Sequence, residues 1–382
     1  MKKMKKQLGK GLVLAALLMI PAFVLFSGKP AGVVAVANRW DIPVWDTVLS
    51  GSFAQSLEKY VRDNIPGRDF FRSVGIGLRY WGGSREEHGI LIGTNQLINN
   101  IDPPVDSTVE RNLAAVTRFA EYLRDMNKPF YFTLIPTASG VLQQLPRNVQ
   151  VFDQRHFIED VYGQLTGKAN VVNTHLPLKT NRAQYIYYRT EDNLTAHGGY
   201  YVYAALAKRM GLTENPSYNN FHIEYNPPLF EGDLYQASPY GNVEADVLMW
   251  FRYSRAARRY TVTHKGPEGT KTYDTLYPPP DQGKAPDMTS YLGGISAVVE
   301  IETNANVTRK LLVFGDKTAL AYLPLLVNHY RQVTFVDLFY DTDSYAAIDP
   351  EEYDQVLVAY SVESFISPPN TLARITQFMM DE

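Results

Sequence analysis

The chain has 382 residues, 45% hydrophobic and 20% charged, a balance that excludes an intrinsically disordered protein and suits one large α/β domain with an insertion, or two domains. A formal net charge of -3, with basic residues scattered beyond Lys10 apart from Arg255, Arg258 and Arg259, excludes a phosphate-tracking stripe, so no nucleic-acid partner is expected. Cysteine is absent, which removes disulfides, thiol nucleophiles and thiolate metal sites together.

Lys2, Lys3, Lys5, Lys6 and Lys10 precede an uncharged run from Gly11 to Gly28 built on Leu, Val, Ala, Ile and Phe. At about 18 residues the run approaches the ~20 that cross a hydrocarbon core. The lysines ahead of it put the N-terminus in the cytoplasm and everything from Lys29 onward outside. Ala35-Val36-Ala37 has the small-x-small form of a signal-peptidase site, but it lies far from the apolar run. An uncleaved single-pass anchor is therefore preferred over a released protein.

Short helices are expected next, over Ser52 to Asn64 and Phe70 to Tyr80, with a strand-like Ile90 to Gly93 behind them. Asp106 or Ser107 can cap a long helix through Met126, because Leu113, Val116, Phe119, Ala120 and Leu123 recur at helical spacing. Phe130 to Ile135, continuous and apolar between two prolines, fits a buried parallel strand. The alternation then repeats: helix Asp153 to Leu165, strand Asn170 to Val172, helix Thr195 to Met210, strand Lys310 to Phe314, helix Thr318 to Tyr330 and strand Gln332 to Val336. Strand Gln355 to Ala359 and helix Asn370 to Met380 close it. Strands alternating with helices call for a parallel sheet covered on both faces. Between Asn215 and Val307 short β-like runs such as Tyr260 to His264 and Ala297 to Ile301 read as an inserted antiparallel region. The 26 tyrosines are read first as strand residues and only second as a sugar-binding surface.

Three stretches resemble the DHHW family of bacterial cell-surface proteins, which is similar to SGNH-type hydrolases and alginate O-acetyltransferases. The first runs from Gly51-Ser52-Phe53 through Pro66-Gly67-Arg68-Asp69 to Gly89-Ile90-Leu91-Ile92-Gly93. The second joins Pro136-Thr137-Ala138-Ser139 to Tyr187-Tyr188-Arg189-Thr190 and Gly199-Tyr200-Tyr201-Val202-Tyr203. The third runs from Val313-Phe314-Gly315-Asp316 to Val356-Leu357-Val358-Ala359-Tyr360-Ser361. The resemblance implies a three-layer α/β domain of the SGNH kind in permuted motif order. In that family an Asp-x-His-Trp stretch supplies the acid and base of a triad and a later Asp-Ser pair supplies the nucleophile. Here those positions read Glu191-Asp192-Asn193-Leu194 and Asp316-Lys317. The aligned acid is Glu191, the aligned base Asn193 and the aligned nucleophile Lys317.

Asparagine cannot take up and return a proton near neutral pH, and lysine has no hydroxyl to acylate. The triad is degenerate on this reading. A Thr318 and His197 pair is the one replacement the sequence offers, against the plainer reading of a helix-start threonine and a helix-surface histidine. Glu191 with Asp192 reads as a solvated loop before it reads as a metal site. Lys317 and Arg189 are candidates for holding an anionic group, unless Lys317 pairs with Glu191 or Asp316. Ser139 either faces the cleft mouth or caps a helix. The other histidines, His88, His156, His175, His222, His264 and His329, show no ligand spacing, and neither metal nor cofactor is expected.

The domain plan that follows is a tail and anchor over residues 1–37, a helical collar over 38–105, and the SGNH-like domain in two parts, 106–214 and 308–382, around a β-rich insertion, 215–307. The function expected from the resemblance is a catalytically inactive cell-surface protein that binds a cell-envelope glycan or a partner such as a membrane acyltransferase, accessory to polysaccharide O-acetylation. The alternative is an active esterase or O-acetyltransferase with a relocated nucleophile.

Overall fold

The computed structural model describes residues 68–382 apart from 144, 147–148, 213–216, 268, 281–284, 341–342, 369–370 and 380–382. The expected anchor over Gly11 to Gly28, the Ala35-Val36-Ala37 site and the helix over Ser52 to Asn64 lie outside the described residues. Among the described residues no helix is long and apolar enough to cross a membrane. The chain divides into two units inside helix α1 (Arg68–Trp81), and the architecture below belongs to the second, Ile76–Glu382.

Three short strands, β1 (Glu86–Glu87), β2 (Ile90–Ile92) and β3 (Leu97–Asn99), form a small antiparallel sheet. Ile90, Ile92 and Leu97 bury themselves with Leu234, Tyr240 and Val243 in a satellite core. Helix α2 (Asp106–Asp125) follows, with Val116, Phe119, Ala120 and Leu123 buried at the helical spacing seen in the sequence. The expected cap is not formed. Val105 holds the N-cap position without a side-chain bond, and Asp106 sits in the first turn, where its carboxylate favours the positive end of the helix dipole.

The central sheet starts with β4 (Phe130–Ile135), followed by α3 (Ala138–Val141), α4 (Gln154–Gln164), β5 (Asn170–Val171), α5 (His175–Thr180) and α6 (Ala196–Arg209). Asp153 and Thr195 cap α4 and α6 by accepting from the His156 and Gly198 amides at 3.1 and 3.3 Å. Then come β6 (Phe221–Phe230), α7 (Asp233–Ala237), β7 (Asp246–Tyr253), β8 (Tyr260–Gly266), β9 (Gly269–Tyr273), β10 (Val298–Thr303), β11 (Lys310–Gly315), α8 (Ala319–Leu326), β12 (Gln332–Val336), β13 (Gln355–Ser361) and α9 (Val362–Ile366).

Eight strands form one sheet in the order β5-β4-β13-β11-β12-β10-β8-β9. The first five are parallel, and β4 and β13 are buried at every position, as a sheet covered on both faces requires. Alternate residues feed two cores: Leu311, Val313 and Leu357 pack on one face with α6 and α8, and Leu312, Phe314 and Val356 on the other with α2 and α4.

The sheet is mixed, not parallel throughout. The stretch 215–307 divides in two. β6 and β7 make a separate antiparallel ribbon, while β10, β8 and β9 join the main sheet antiparallel through Val298↔Val336 and Val299↔His264. The alternation of Val298 and Val299 between the two cores drives that docking, and it pairs the edge that β12 would otherwise leave open. Helix α8 ends earlier than expected, passing into a 3-10 turn over Val327–His329, where the Asn328 side-chain amide donates to the Pro324 and Leu325 carbonyls at 3.1 Å and so satisfies the last turn. A 3-10 helix over Thr371–Phe378 replaces the expected C-terminal α-helix.

Two glycines bring α6 against its neighbours. A Cβ on Gly199 would fall 2.0 Å from the Ala321 carbonyl oxygen, and one on Gly198 would fall 2.2 Å from that of Ile186. Backbone cannot yield there as a side chain could, so α6 holds glycines in its first turn despite their poor helix propensity. That close approach sets the loop before α6 over the end of β11.

Candidate functional site

The loop from Tyr187 to Leu194 closes on itself through the bridge between those two residues and a bond from the Tyr188 amide to the Asn193 carbonyl at 3.1 Å. It meets the carboxyl ends of three parallel strands, each contributing the residues just beyond it: Pro136 and Thr137 after β4, Lys317 and Thr318 after β11, and Ser361 and Glu363 at the end of β13. Ligands of open α/β sheets gather at such ends. The cleft between them holds about 20 Å³ of water-sized space, room for one water and too little for a sugar ring.

Asn193 and Lys317 are brought together. The Asn193 side-chain amide donates to the Lys317 carbonyl at 2.9 Å, and its oxygen accepts from the Leu194 amide at 2.7 Å. Both ends of the side-chain amide thus bond backbone. The Lys317 ammonium lies 3.9 Å from both Glu191 and Asp192 and is not paired with Asp316. Burial alone would lower its pKa. The facing carboxylates of Asp192, Glu191, Glu363 and Asp233 outweigh that and hold it above the ordinary lysine range, so the amine has no lone pair for attack.

Glu191 is not in a solvated loop. It is only 6% exposed, because Gly232 packs against it so closely that a Cβ there would fall 2.4 Å from the Glu191 Cβ. The Asp233 amide donates to its carboxylate at 2.9 Å. Burial raises its pKa, with that hydrogen bond and Lys317 opposing. Among the described residues no group of three or more His, Asp or Glu side chains is arranged to hold a metal ion.

Asp316 serves the loop geometry. It accepts from the Thr318 amide at 2.9 Å, the Thr318 hydroxyl at 2.5 Å and the Ser361 amide at 2.7 Å, tying the end of β11 to the end of β13. The Thr318 hydroxyl is therefore given to the carboxylate two residues before it. His197 is not a solvent-facing helix residue. Its ring lies edge-on to Phe251 and Tyr218, at 5.6 and 6.0 Å between centroids, and burial lowers its pKa. No hydrogen bond joins Thr318 and His197.

Arg189 stands apart from Lys317. Its guanidinium lies 4.6 Å over the Tyr185 ring and 3.7 Å from Glu244, and it does not line the cleft. Ser139 neither faces the cleft mouth nor caps a helix. Buried beside Thr137, it accepts from the Gln154 side chain at 3.1 Å in a polar knot that anchors the start of α4.

Three residues of the site carried no sequence signal. Asn99, from the small sheet, donates to Asp192 at 2.9 Å and to Glu363 at 2.8 Å, bridging the two carboxylates. Burial and the neighbouring Asp192 charge push the Glu363 carboxyl up to about 7. Asp246, wholly buried at the start of β7, accepts from the Arg189 and Thr190 amides at 2.8 and 2.7 Å and from the hydroxyls of Tyr185 and Thr190. It holds the loop that carries Glu191 and Asn193.

The site is thus a polar cleft built by loops at the carboxyl strand ends of a mixed α/β sheet. The chain belongs to the DHHW protein family, whose sequence profile matches residues 104–336. Its fold is similar to that of a DHHW family protein from Eubacterium siraeum, with 17% identity and a TM-score of 0.64 over 78% of this chain and 98% of that one. It is also similar to Bacillus cereus PatB1, with 20% identity and a TM-score of 0.60 over 74% of this chain and 98% of that one. PatB1 has also been solved with a sulfonyl adduct, and that form matches at 19% identity and a TM-score of 0.61, covering 74% and 96% of the two chains. At these identities the likeness is one of fold. No curated protein sequence matches the chain.

Proposed function

We propose that this protein is a catalytically silent member of its family, held outside the cell by an N-terminal anchor, that binds a cell-envelope glycan or a membrane acyltransferase partner and is accessory to polysaccharide O-acetylation. The observation that carries the loss of catalysis is the contact between Asn193 and Lys317. Where a histidine would relay a proton to a serine, an amide is bonded to backbone and an ammonium is held by two carboxylates. The small cleft and the commitment of Thr318 to Asp316 support the same reading.

The purified full-length chain is expected to show no hydrolysis of acetyl esters and no acetyl transfer to glycans above buffer. The double variant K317S/N193H restores both missing groups and removes a long side chain from the cleft, and it is expected to gain ester turnover. Wild-type turnover that disappears in Thr318→Ala would overturn the proposal and identify a relocated nucleophile. Topology is checked separately. Protease added to intact cells is expected to remove a C-terminal epitope tag, and survival of that tag would place the domain on the other side of the membrane.

A further inference from the structure

Separated from β11 and its Lys317 cleft by β12 and β10, the sheet edge formed by β8 and β9 carries a recess of about 440 Å³, within the roughly 300–1,000 Å³ of small-molecule sites. A second recess of about 150 Å³ adjoins it, and the two share Lys271, Tyr273 and Gly293. Together they make one elongated groove. We propose that this groove is a binding site for an oligosaccharide, separate from the family cleft.

The walls are built for such a ligand. Tyr273 and Tyr340 are half-buried and line the larger recess, and Phe339, whose ring meets Tyr340 edge-on at 6.3 Å, is 68% exposed. Aromatic surface of this kind packs on the C–H faces of sugar rings. Gly293 has φ +87°, and a Cβ there would fall 2.3 Å from the Tyr273 ring, so the backbone abuts the ring and fixes its position. Around the rings, Thr270 and the backbone of the glycine turns supply polar groups for hydroxyls, while Ser296, bonded to the Val298 carbonyl and the His264 ring, fixes the wall.

Charge argues against other occupants. Among the described residues that line the groove, Lys271 is the one Lys or Arg, and Asp287 in the adjoining recess would repel a phosphate. An extended peptide would need apolar recesses for alternate side chains, whereas β9 presents exposed Thr270, Lys271 and Thr272. The proposal is independent of whether the Lys317 cleft is silent.

The test is calorimetric titration of the full-length chain in detergent with chitotriose, cellotriose and trigalacturonate, beside trialanine and ATP. At least one saccharide is expected to saturate with Kd below about 1 mM, and Tyr273→Ala and Tyr340→Ala are each expected to weaken it about tenfold, a loss of about 1.4 kcal/mol. K317S/N193H is expected to bind as wild type. A diazirine derivative of the binding saccharide, used on wild type, keeps the test open if a tyrosine variant misfolds, and its label is expected on residues 264–273 or 291–296. The proposal is overturned if no saccharide saturates, if trialanine or ATP binds as well, if folded tyrosine variants bind normally, or if the label falls at the Lys317 cleft.

Discussion

Replacing Asp246 with alanine is expected to cost about 4 kcal/mol of folding stability, the largest single effect anticipated for a side chain near the site. The carboxylate is 0% exposed and receives four donors, two of them backbone amides of Arg189 and Thr190 that no rotation can redirect. An unpaired buried donor costs about 1–3 kcal/mol, so the amides dominate and the hydroxyls of Tyr185 and Thr190 add less. Asp246→Asn is expected to recover only part of the loss, because its NH₂ would face groups that are themselves donors. Urea denaturation of the full-length chain gives the comparison. Hydrogen exchange is expected to rise over residues 187–194, which Asp246 alone ties to β7 through these bonds. A stability change under about 1 kcal/mol would show that water replaces the carboxylate at no great cost.

Glu363→Gln is expected to make the protein clearly more stable at pH 8 and only slightly more stable at pH 5. The folded-state pKa is raised from 4.5 to about 7, so between these values the folded chain holds a proton that the unfolded chain has released. Stability therefore falls as pH rises through that window, by up to about 3 kcal/mol for the isolated group and about 2 kcal/mol after solvent screening. The glutamine cannot ionise, yet its oxygen can still accept from Asn99. Asp337 is also pushed up to about 7 by burial and contributes in the same direction, so the wild-type slope should shrink and not vanish. Thermal midpoints of both proteins at pH 5 and pH 8 decide it. Equal slopes would mean that Lys317 neutralises Glu363 in the folded state.

The elements that were legible in the sequence are those whose signal is local. β4 and β12 have the bounds read from their apolar runs, and α4 and α6 start at the Asp153 and Thr195 caps, because burial and capping write their pattern within one segment. The docking of β10 beside β12 was not legible. Nothing local to Val298–Thr303 states which strand it will pair with, and its partner lies across a helix and a strand. The site divides in the same way. Asn193 and Lys317 were singled out from the sequence and lie in contact, whereas Asn99 and Glu363 stand 264 positions apart and became neighbours only when the small sheet met the end of β13.

The amino-acid sequence alone set which groups are available: an amide at Asn193 and an ammonium at Lys317, no thiol anywhere, and alternating segments for an α/β sheet. Side-chain chemistry belongs to each residue and survives any fold. Tertiary structure alone decided that Asn193 would spend its amide on the Lys317 carbonyl, that Gly232 would press Glu191 out of water, and that Arg189 would turn away toward Tyr185. Those outcomes depend on distances between strand ends and loops. Such distances are set by packing across the sheet and by the glycine contacts of α6, which no single segment encodes.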